Sequence, residues 1–321
     1  MPALILTREE VRPLLDLAKA IELTEAAFRE QAEGQVTAHA PYHIKVGGAQ
    51  ALRVVSGALV QSGRMGVRLG PNAQISGGDS MYALLFENEN GKLLSFMGYP
   101  FGTLRTAATI GLAATHMARA DAHTVGIFGV GRNALGLLKG ITAVRKITKV
   151  VVSSRDAERR KSFCASAAKE LQMDVVPGEK AEDAVRKMDI ILTATNSPSP
   201  VFPMEWVEPG AHISSMGKPG EIGKDIYLKA DRIVVGSRAH EQNYWDQAGP
   251  LPLVELIAAG KFSWDKIPEM GDLVSGRAAG RKGAAEINIF KESQGGFGDV
   301  AFAKWLYEEA VRRKLGREME L

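Results

Sequence analysis

The feature that most constrains this chain is an alternation that begins at Thr124. Short runs rich in Val and Ile lie at 124-TVGIFG-129, 149-KVVVSS-154, 173-MDVV-176, 189-DIILTAT-195, 211-AHISSMG-217 and 232-RIVVGS-237. Stretches with helical spacing fill gaps between them at 134–144, 156–171 and 180–188. Parallel strands need long crossovers, usually helices, to connect them. The order therefore predicts a doubly wound parallel sheet of the α/β class. A last strand is expected at 286-EINIFK-291, before a glycine-rich break, 295-GGFG-298, and a closing helix at 299–315.

The N-terminal part has a different rhythm. Residues 8–33 read as two amphipathic helices, with apolar residues at helical intervals. From Tyr42 to Phe96 the period shifts toward strands, at 43-HIKV-46, 52-LRVVSG-57, 66-GVRLG-70 and 82-YALLFE-87. The turn 88-NENGK-92, with its Asn-Gly, leads into 93-LLSFM-97 and predicts a hairpin. A thin helix rich in Ala, Thr and Gly follows at 102–122, with Thr103 as its expected N-cap. The expected division is a mixed α+β lobe over 1–118 with 298–321, and a dinucleotide-binding lobe over 119–297. At 321 residues the chain is long enough for two such lobes.

Composition excludes several classes. Net charge is only +3 and is not gathered into a basic block, which argues against nucleic acid as a partner. No apolar run approaches the roughly 20 residues that span a bilayer, and the N-terminus lacks a signal peptide's pattern. The lone cysteine, Cys164, rules out an intrachain disulfide and fits a reducing, cytoplasmic setting, where it reads as structural. The six histidines show no metal-ligand spacing, so no protein-bound metal is expected. Trp206, Trp245, Trp264 and Trp305 read as packing residues.

The first strand of the alternating region ends in Gly129-Val130-Gly131-Arg132-Asn133-Ala134, a G-x-G-x-x-A turn that opens a helix. That context is the one a dinucleotide fingerprint requires. The first glycine makes the tight turn, the second lets backbone approach a pyrophosphate, and the small third residue lets helix pack on strand. The helix N-terminus offers N–H groups to the phosphates. The second strand ends 150-VVVSSRD-156, without the acid that would hold both ribose hydroxyls and repel a 2′-phosphate. Ser153, Ser154 and Arg155 can instead donate to such a phosphate, and Arg132 adds positive charge. NADP(H) is therefore expected over NAD(H). Loops at the ends of later strands, with Thr195, Asn196, Met216, Gly217 and Lys218, are expected on the nicotinamide side, and Thr106 joins the cofactor-binding set.

Taken together, 66-GVRLG-70, 84-LLFENENGKLLSFM-97, 103-TLRTAATIGLAA-114, the glycine turn about 25 residues beyond LRTAA, 193-TATNS-197, 210-GAHISSMG-217, 225-DIYLKADRIVVGSR-238 and 287-INIFKE-292 resemble the ornithine cyclodeaminase/μ-crystallin family. The resemblance implies a Rossmann-type domain and a second lobe that, with the last helix, forms a homodimer interface and substrate platform. It implies hydride transfer between a nicotinamide and the carbon of an imine, amine or related carbonyl.

The departures from the family pattern shape the expected chemistry. Arg68 stands where members acting on amino acids carry a lysine, and Lys218 where the loop usually carries an aspartate. Tyr42 and His43 replace an arginine, the family's Gln-Gly is replaced near Ser80-Met81, and Arg105 remains. Arginine does not give up its proton, so Arg68 reads as a binding group rather than an acid or base. Arg68, Arg105 and Lys218 together suggest a strongly positive pocket for a small anionic, carboxylate-bearing substrate, one with two acidic groups included, unless an Asp or Glu elsewhere neutralises it. Lys218 is the expected proton donor and His43 the alternative. The expected activity is NAD(P)H-dependent reduction of an imine, ketimine or keto compound of a small carboxylate. The alternatives are a divergent amino-acid cyclodeaminase with retained cofactor, and a non-catalytic NADPH-binding protein.

Overall fold

The computed structural model describes residues 2–47, 50–71, 80–243 and 249–320. Its elements begin with β1 (Ala3–Leu6), α1 (Arg8–Val11), α2 (Leu17–Ala32), β2 (Val36–Ala38), β3 (Tyr42–Gly47), β4 (Gln50–Leu59), β5 (Arg64–Pro71), β6 (Tyr82–Glu87), β7 (Leu93–Gly98) and α3 (Gly102–Met117). The alternating part holds β8 (Thr124–Phe128), α4 (Ala134–Thr142), β9 (Lys149–Ser153), α5 (Ala157–Leu171), β10 (Asp174–Pro177), β11 (Ile190–Thr193), β12 (His212–Ser215), α6 (Lys224–Lys229) and β13 (Arg232–Val235). The chain closes with α7 (Arg238–Gln242), α8 (Pro252–Ala258), α9 (Met270–Val274), β14 (Asn288–Lys291), α10 (Gly296–Arg313) and β15 (Arg317–Met319).

Two compact units result: Met1–Arg105 with Ala239–Trp245 and Gln294–Leu321, and Thr106–Arg238 with Asp246–Ser293. The boundary falls inside α3, ahead of the expected one at 118. The reason is local packing within the second unit. A Cβ on Gly111 would lie 2.6 Å from the Gly140 carbonyl oxygen, so the backbones of α3 and α4 touch.

The first unit holds an eight-stranded sheet in the order β15-β1-β7-β6-β5-β4-β2, with β3 also paired to β4. All its pairs are antiparallel except β1 with β7. The β6–β7 hairpin turns where Asn-Gly predicted: Gly91 sits at φ +70°, and Asn90 Oδ1 accepts from the Lys92 N–H at 2.9 Å. One face is buried by α10, with Val55, Leu59, Ala83, Leu85 and Met97 in the core. Helix α10 begins at Gly296, so the glycine run that reads as a break belongs to the helix. Gly296 serves close approach: a Cβ there would run into the Ser56 carbonyl of β4, and one on Gly57 would lie 2.5 Å from the Phe297 nitrogen. The strands β1, β2 and β15 give no clear signal in the sequence; they are only four, three and three residues long.

The second unit holds a seven-stranded, fully parallel sheet in the order β10-β9-β8-β11-β12-β14-β13. The helix expected at 180–188 is a single 3-10 turn, Ala181–Ala184. It is pressed against β8 so closely that Gly126 has no room for a Cβ beneath the Ala184 carbonyl, and Lys187 ends the segment at φ +59°. Thr103 lies within α3 rather than capping it, because the helix starts at Gly102. Trp305 is buried in α10, Trp206 and Trp264 pack against the second unit's core, and Trp245 lies outside the described residues.

Candidate active site

The phosphate turn is built as its residue types require. Gly129 takes φ +102°, and a Cβ there would lie 2.5 Å from the Ala194 carbonyl oxygen. Any other residue is therefore both strained and blocked. Gly131 differs: a Cβ there meets nothing within 4 Å, so the space above the turn is open to a ligand. Ala134 is buried and begins α4, a helix of nine residues whose Asn133 N-cap makes no side-chain cap hydrogen bond. The cradle fits a pyrophosphate against the helix N-terminus.

At the end of β9, Ser153 is half-buried and its carbonyl accepts from the Gly129 N–H at 2.9 Å, which ties the turn to the neighbouring strand. Ser154 is half-buried, while Arg155 and Arg132 are exposed. Asp156 is engaged as the N-cap of α5, where its Oδ1 accepts from the Arg159 N–H at 3.0 Å.

The far rim is organised by two buried residues that the sequence does not single out. Glu221 is fully buried and accepts from the Thr195 N–H. Gly217 has no room for a Cβ because the Glu221 carboxylate fills that place. Burial pushes the Glu221 carboxyl up, opposed by hydrogen bonds from Thr195 and Thr193 and by the charge of Lys291. Lys291 is 2% exposed at the end of β14, and its Nζ donates to the Gly217 carbonyl at 3.0 Å. A lysine directly after the apolar pair Ile289-Phe290 was the available signal. The pair holds the loop in which Met216 and Lys218 lie: the Met216 N–H donates to Thr193 O at 3.1 Å and that of Lys218 to Thr195 O at 3.3 Å. Asn196 is exposed on the preceding loop, and Thr106 is buried in α3. Asn133 Nδ2 lies 4.0 Å from Met216 Sδ, which links the two loops.

In the first unit the structure brings Arg68 and Arg105 together on a residue that directly follows the glycine-rich break. Asp299, in the first turn of α10, is 4% exposed. Its Oδ2 accepts from Arg68 Nε at 2.9 Å, and its Oδ1 lies 3.2 Å from Arg105 Nε. Tyr99 donates its hydroxyl to Oδ1 at 2.5 Å, and the Arg68 guanidinium lies 4.9 Å from the Tyr99 ring centroid. Arg105 Nη1 donates to Gln294 Oε1 at 2.9 Å. Burial alone would raise the Asp299 pKa, but the two guanidiniums and the Tyr99 hydrogen bond outweigh it and hold the carboxyl below its usual range. Burial, then Asp299, push the Tyr99 phenol up to about 12.

This node corrects the expectation of a strongly positive pocket. Arg68 and Arg105 are not two uncompensated cations; they share one carboxylate. Lys218 belongs to the second unit, as N-cap of the 3-10 turn Pro219–Glu221. His43 is half-buried on β3, directly opposite Arg53 on β4, while Arg68 sits opposite Val55, two pairs along the same sheet. Among the described residues no group of His, Cys, Asp and Glu is placed to hold a metal, and no helix is long and apolar enough to cross a membrane.

A parallel sheet with a glycine turn at its first strand, and a helix N-terminus beneath it, define a Rossmann-type dinucleotide-binding protein. Residues 1–314 match the ornithine cyclodeaminase/mu-crystallin family, and the chain belongs to that family. It is 30% identical to the Δ1-pyrroline-2-carboxylate reductase of Bacillus cereus, over 99% of both chains. The structure of Thermococcus litoralis Δ1-pyrroline-2-carboxylate reductase in complex with NADH and L-proline superposes with a TM-score of 0.89 at 27% identity, covering 98% of this chain and 100% of that one. An archaeal alanine dehydrogenase dimer with bound NAD gives 0.87 at 29% identity, covering both chains fully.

Proposed function

We propose that this protein is a nicotinamide-dependent oxidoreductase acting on CH–NH bonds, and that it reduces the imine of a small carboxylate, with Δ1-pyrroline-2-carboxylate as the first substrate to test. The observation that carries this reading is the Arg68–Asp299–Arg105 node. It is a fixed-charge device: arginine keeps its proton, the carboxylate is held ionised, and the Tyr99 proton is committed to Asp299. Such a node binds and orients a carboxylate but does not shuttle protons as a cyclodeaminase requires. The likeness to reductases and a dehydrogenase across the full chain supports the same class.

In this reading Gly129, Gly131, Arg132, Asn133 and Ala134 hold the pyrophosphate. Thr195, Asn196, Met216 and Gly217 border the nicotinamide, and Thr106 belongs to the same cofactor set. The bound nicotinamide supplies a hydride to the imine carbon. Arg68 and Arg105 take the substrate carboxylate. The nitrogen must gain one proton as the C=N bond is reduced; Lys218 is the proposed donor and His43 the alternative. The cofactor is proposed to be NADP(H) before NAD(H), on the strength of Ser153, Ser154 and Arg155 and of an Asp156 occupied as a helix cap.

The assembly is proposed to be a homodimer through the first unit. The sheet face opposite α10 carries Tyr42, Val54, Leu69 and Tyr82 in one cross-strand row and Val67, Leu84 and Phe96 in the next. Tyr42 is 66% exposed and Tyr82 37%. An apolar patch of this kind is normally covered by a partner. A lone, buried Cys164 suits the reducing environment of the cytoplasm.

The test is NADPH oxidation with Δ1-pyrroline-2-carboxylate, with NADH in parallel. Turnover lost in Arg105→Ala supports the reading. Return of the hydride with no net cofactor oxidation, as ornithine is converted to proline, would instead establish the cyclodeaminase.

A further inference from the structure

We propose that Asp299 is a positioning residue that sets the charge of the substrate, so that the site selects one carboxylate and rejects two. The inference rests on the reading that Arg68 and Arg105 receive the substrate carboxylate, and it adds which carboxylates they accept.

The argument is a charge balance within the node. Two guanidinium groups and one carboxylate leave a net charge of one positive unit, since Tyr99 and Gln294 are neutral. Arg68, Tyr99, Gln294 and Asp299 are each under 9% exposed, and the Arg105 side chain is 12% exposed, so water screens the balance weakly. A buried charge is tolerated when it is paired and costly when it is not. One substrate carboxylate brings the node to neutrality. A second would find no further positive partner within the node. Arg53, on the neighbouring strand β4, has interactions of its own.

The geometry shows how Asp299 does this without blocking the site. It engages the Nε edge of Arg68, leaving the two η nitrogens of that side chain on the other edges of the guanidinium plane. Asp299 also receives the Tyr99 hydroxyl while the Arg68 guanidinium lies near the same ring, so the guanidinium plane is fixed by hydrogen bond and ring together. On Arg105 the Nε faces Asp299 and Nη1 is held by Gln294. Both arginines are thus oriented by groups that reach them from α10 and the residues just before it.

The experiment compares the cofactor-loaded wild type with Asp299→Asn and Asp299→Glu. Two imines are used: Δ1-pyrroline-2-carboxylate, with one carboxylate, and the imine of oxaloacetate with ammonia, with two. The wild type is expected to favour the first in kcat/KM by roughly tenfold or more. Asp299→Asn removes the charge at nearly constant shape, and should shift the ratio toward the dicarboxylate by roughly tenfold, mainly through KM. Asp299→Glu should return the preference toward that of the wild type, and NADPH binding by fluorescence should be unchanged in both.

A wild type that prefers the dicarboxylate overturns the proposal. So does an Asp299→Asn protein in which both substrates fall together and the ratio moves less than twofold, since that is a structural role alone. If Asp299→Asn does not fold, the wild-type ratio decides. If the wild type binds NADPH but reduces neither imine, the proposed activity fails separately. The charge rule is then read from thermal protection of the NADPH-bound protein. Protection by L-proline and not by L-aspartate upholds it, and protection by L-aspartate or by neither sinks it.

Discussion

At the scale of single residues, a few positions carry the proposed chemistry. Arg105 sits in a buried network, and truncating one member of such a network costs about 3–5 kcal/mol because its partner is left uncompensated. Arg105→Ala is therefore expected to lower kcat/KM for the imine by at least ~100-fold while NADPH affinity, read by fluorescence titration, stays within about twofold. Unchanged kcat/KM would remove Arg105 from the substrate site. Gly129 makes the opposite prediction. Its φ of +102° and the Ala194 carbonyl leave no place for a methyl group, so Gly129→Ala should weaken NADPH binding and lower the melting temperature together. The glycine turn was legible because its meaning is local: six consecutive residues specify it. Asp299 was not, because it meets Arg68 across 231 positions of sequence and directly follows a glycine run that reads as a break. Glu221 and Lys291 were hidden for the same reason: a buried charge is recognised by its partner, and the partner is known only once the strands are in register.

At the scale of elements, α3 shows how the second unit keeps its shape. The C-terminal carbonyls of a helix lack internal partners. Here two arginines supply them. Arg145 Nη2 donates to Ala114 O at 2.8 Å and to Ala118 O at 3.1 Å, and Arg281 Nε donates to Met117 O at 2.8 Å. Arg281 also reaches Gly210 O at 3.0 Å and Glu286 O at 2.7 Å, tying the start of β12 to the segment before β14. Replacing Arg281 with Met keeps much of the apolar stem and removes the donors. It should cost about 2–3 kcal/mol in chemical denaturation, with no change in the cofactor preference. The strand β9 carries the second element-scale prediction. If Arg155 and its two serine neighbours receive a 2′-phosphate, Arg155→Ala should raise the NADPH dissociation constant by roughly 10- to 100-fold and leave NADH unaffected. Equal loss for both cofactors would contradict the NADP(H) preference. The alternation that predicted the parallel sheet survives in every strand: β8, β9 and β11 to β14 are largely buried runs, and β10 closes the sheet as an exposed edge. The helix expected at 180–188 does not, because tertiary crowding against Gly126 outweighs a helical spacing pattern.

At the scale of the whole molecule, stability toward acid has a named source. His212 lies fully buried on β12; burial and then the charges of Arg281 and Arg145 push its pKa down to about 3. The native imidazole stays neutral, while the unfolded chain takes up a proton near pH 6.5. The unfolded state thus binds more protons between these values, so stability is fully present above about pH 6.5 and falls as pH drops toward 3. The slope this residue contributes reaches at most about 1.4 kcal/mol per pH unit. Asp299 and Asp189, held below their usual range, add losses at the acid end as they protonate. His212→Gln should flatten the fall between pH 6 and 4 in urea titrations; an unchanged slope would assign it elsewhere. Assembly is the other whole-molecule property. If the open sheet face joins two copies, Tyr82→Lys should halve the mass seen by analytical ultracentrifugation without lowering secondary-structure content.

The central claim is that this chain reduces the imine of a small carboxylate with a nicotinamide cofactor. The most direct measurement follows NADPH absorbance as Δ1-pyrroline-2-carboxylate is added to the wild type and to Arg105→Ala, with proline quantified at the end. The account predicts one proline formed per NADPH oxidised in the wild type and almost none in the variant. Tight NADPH binding with no oxidation and no proline, or equal turnover in the variant, would contradict it.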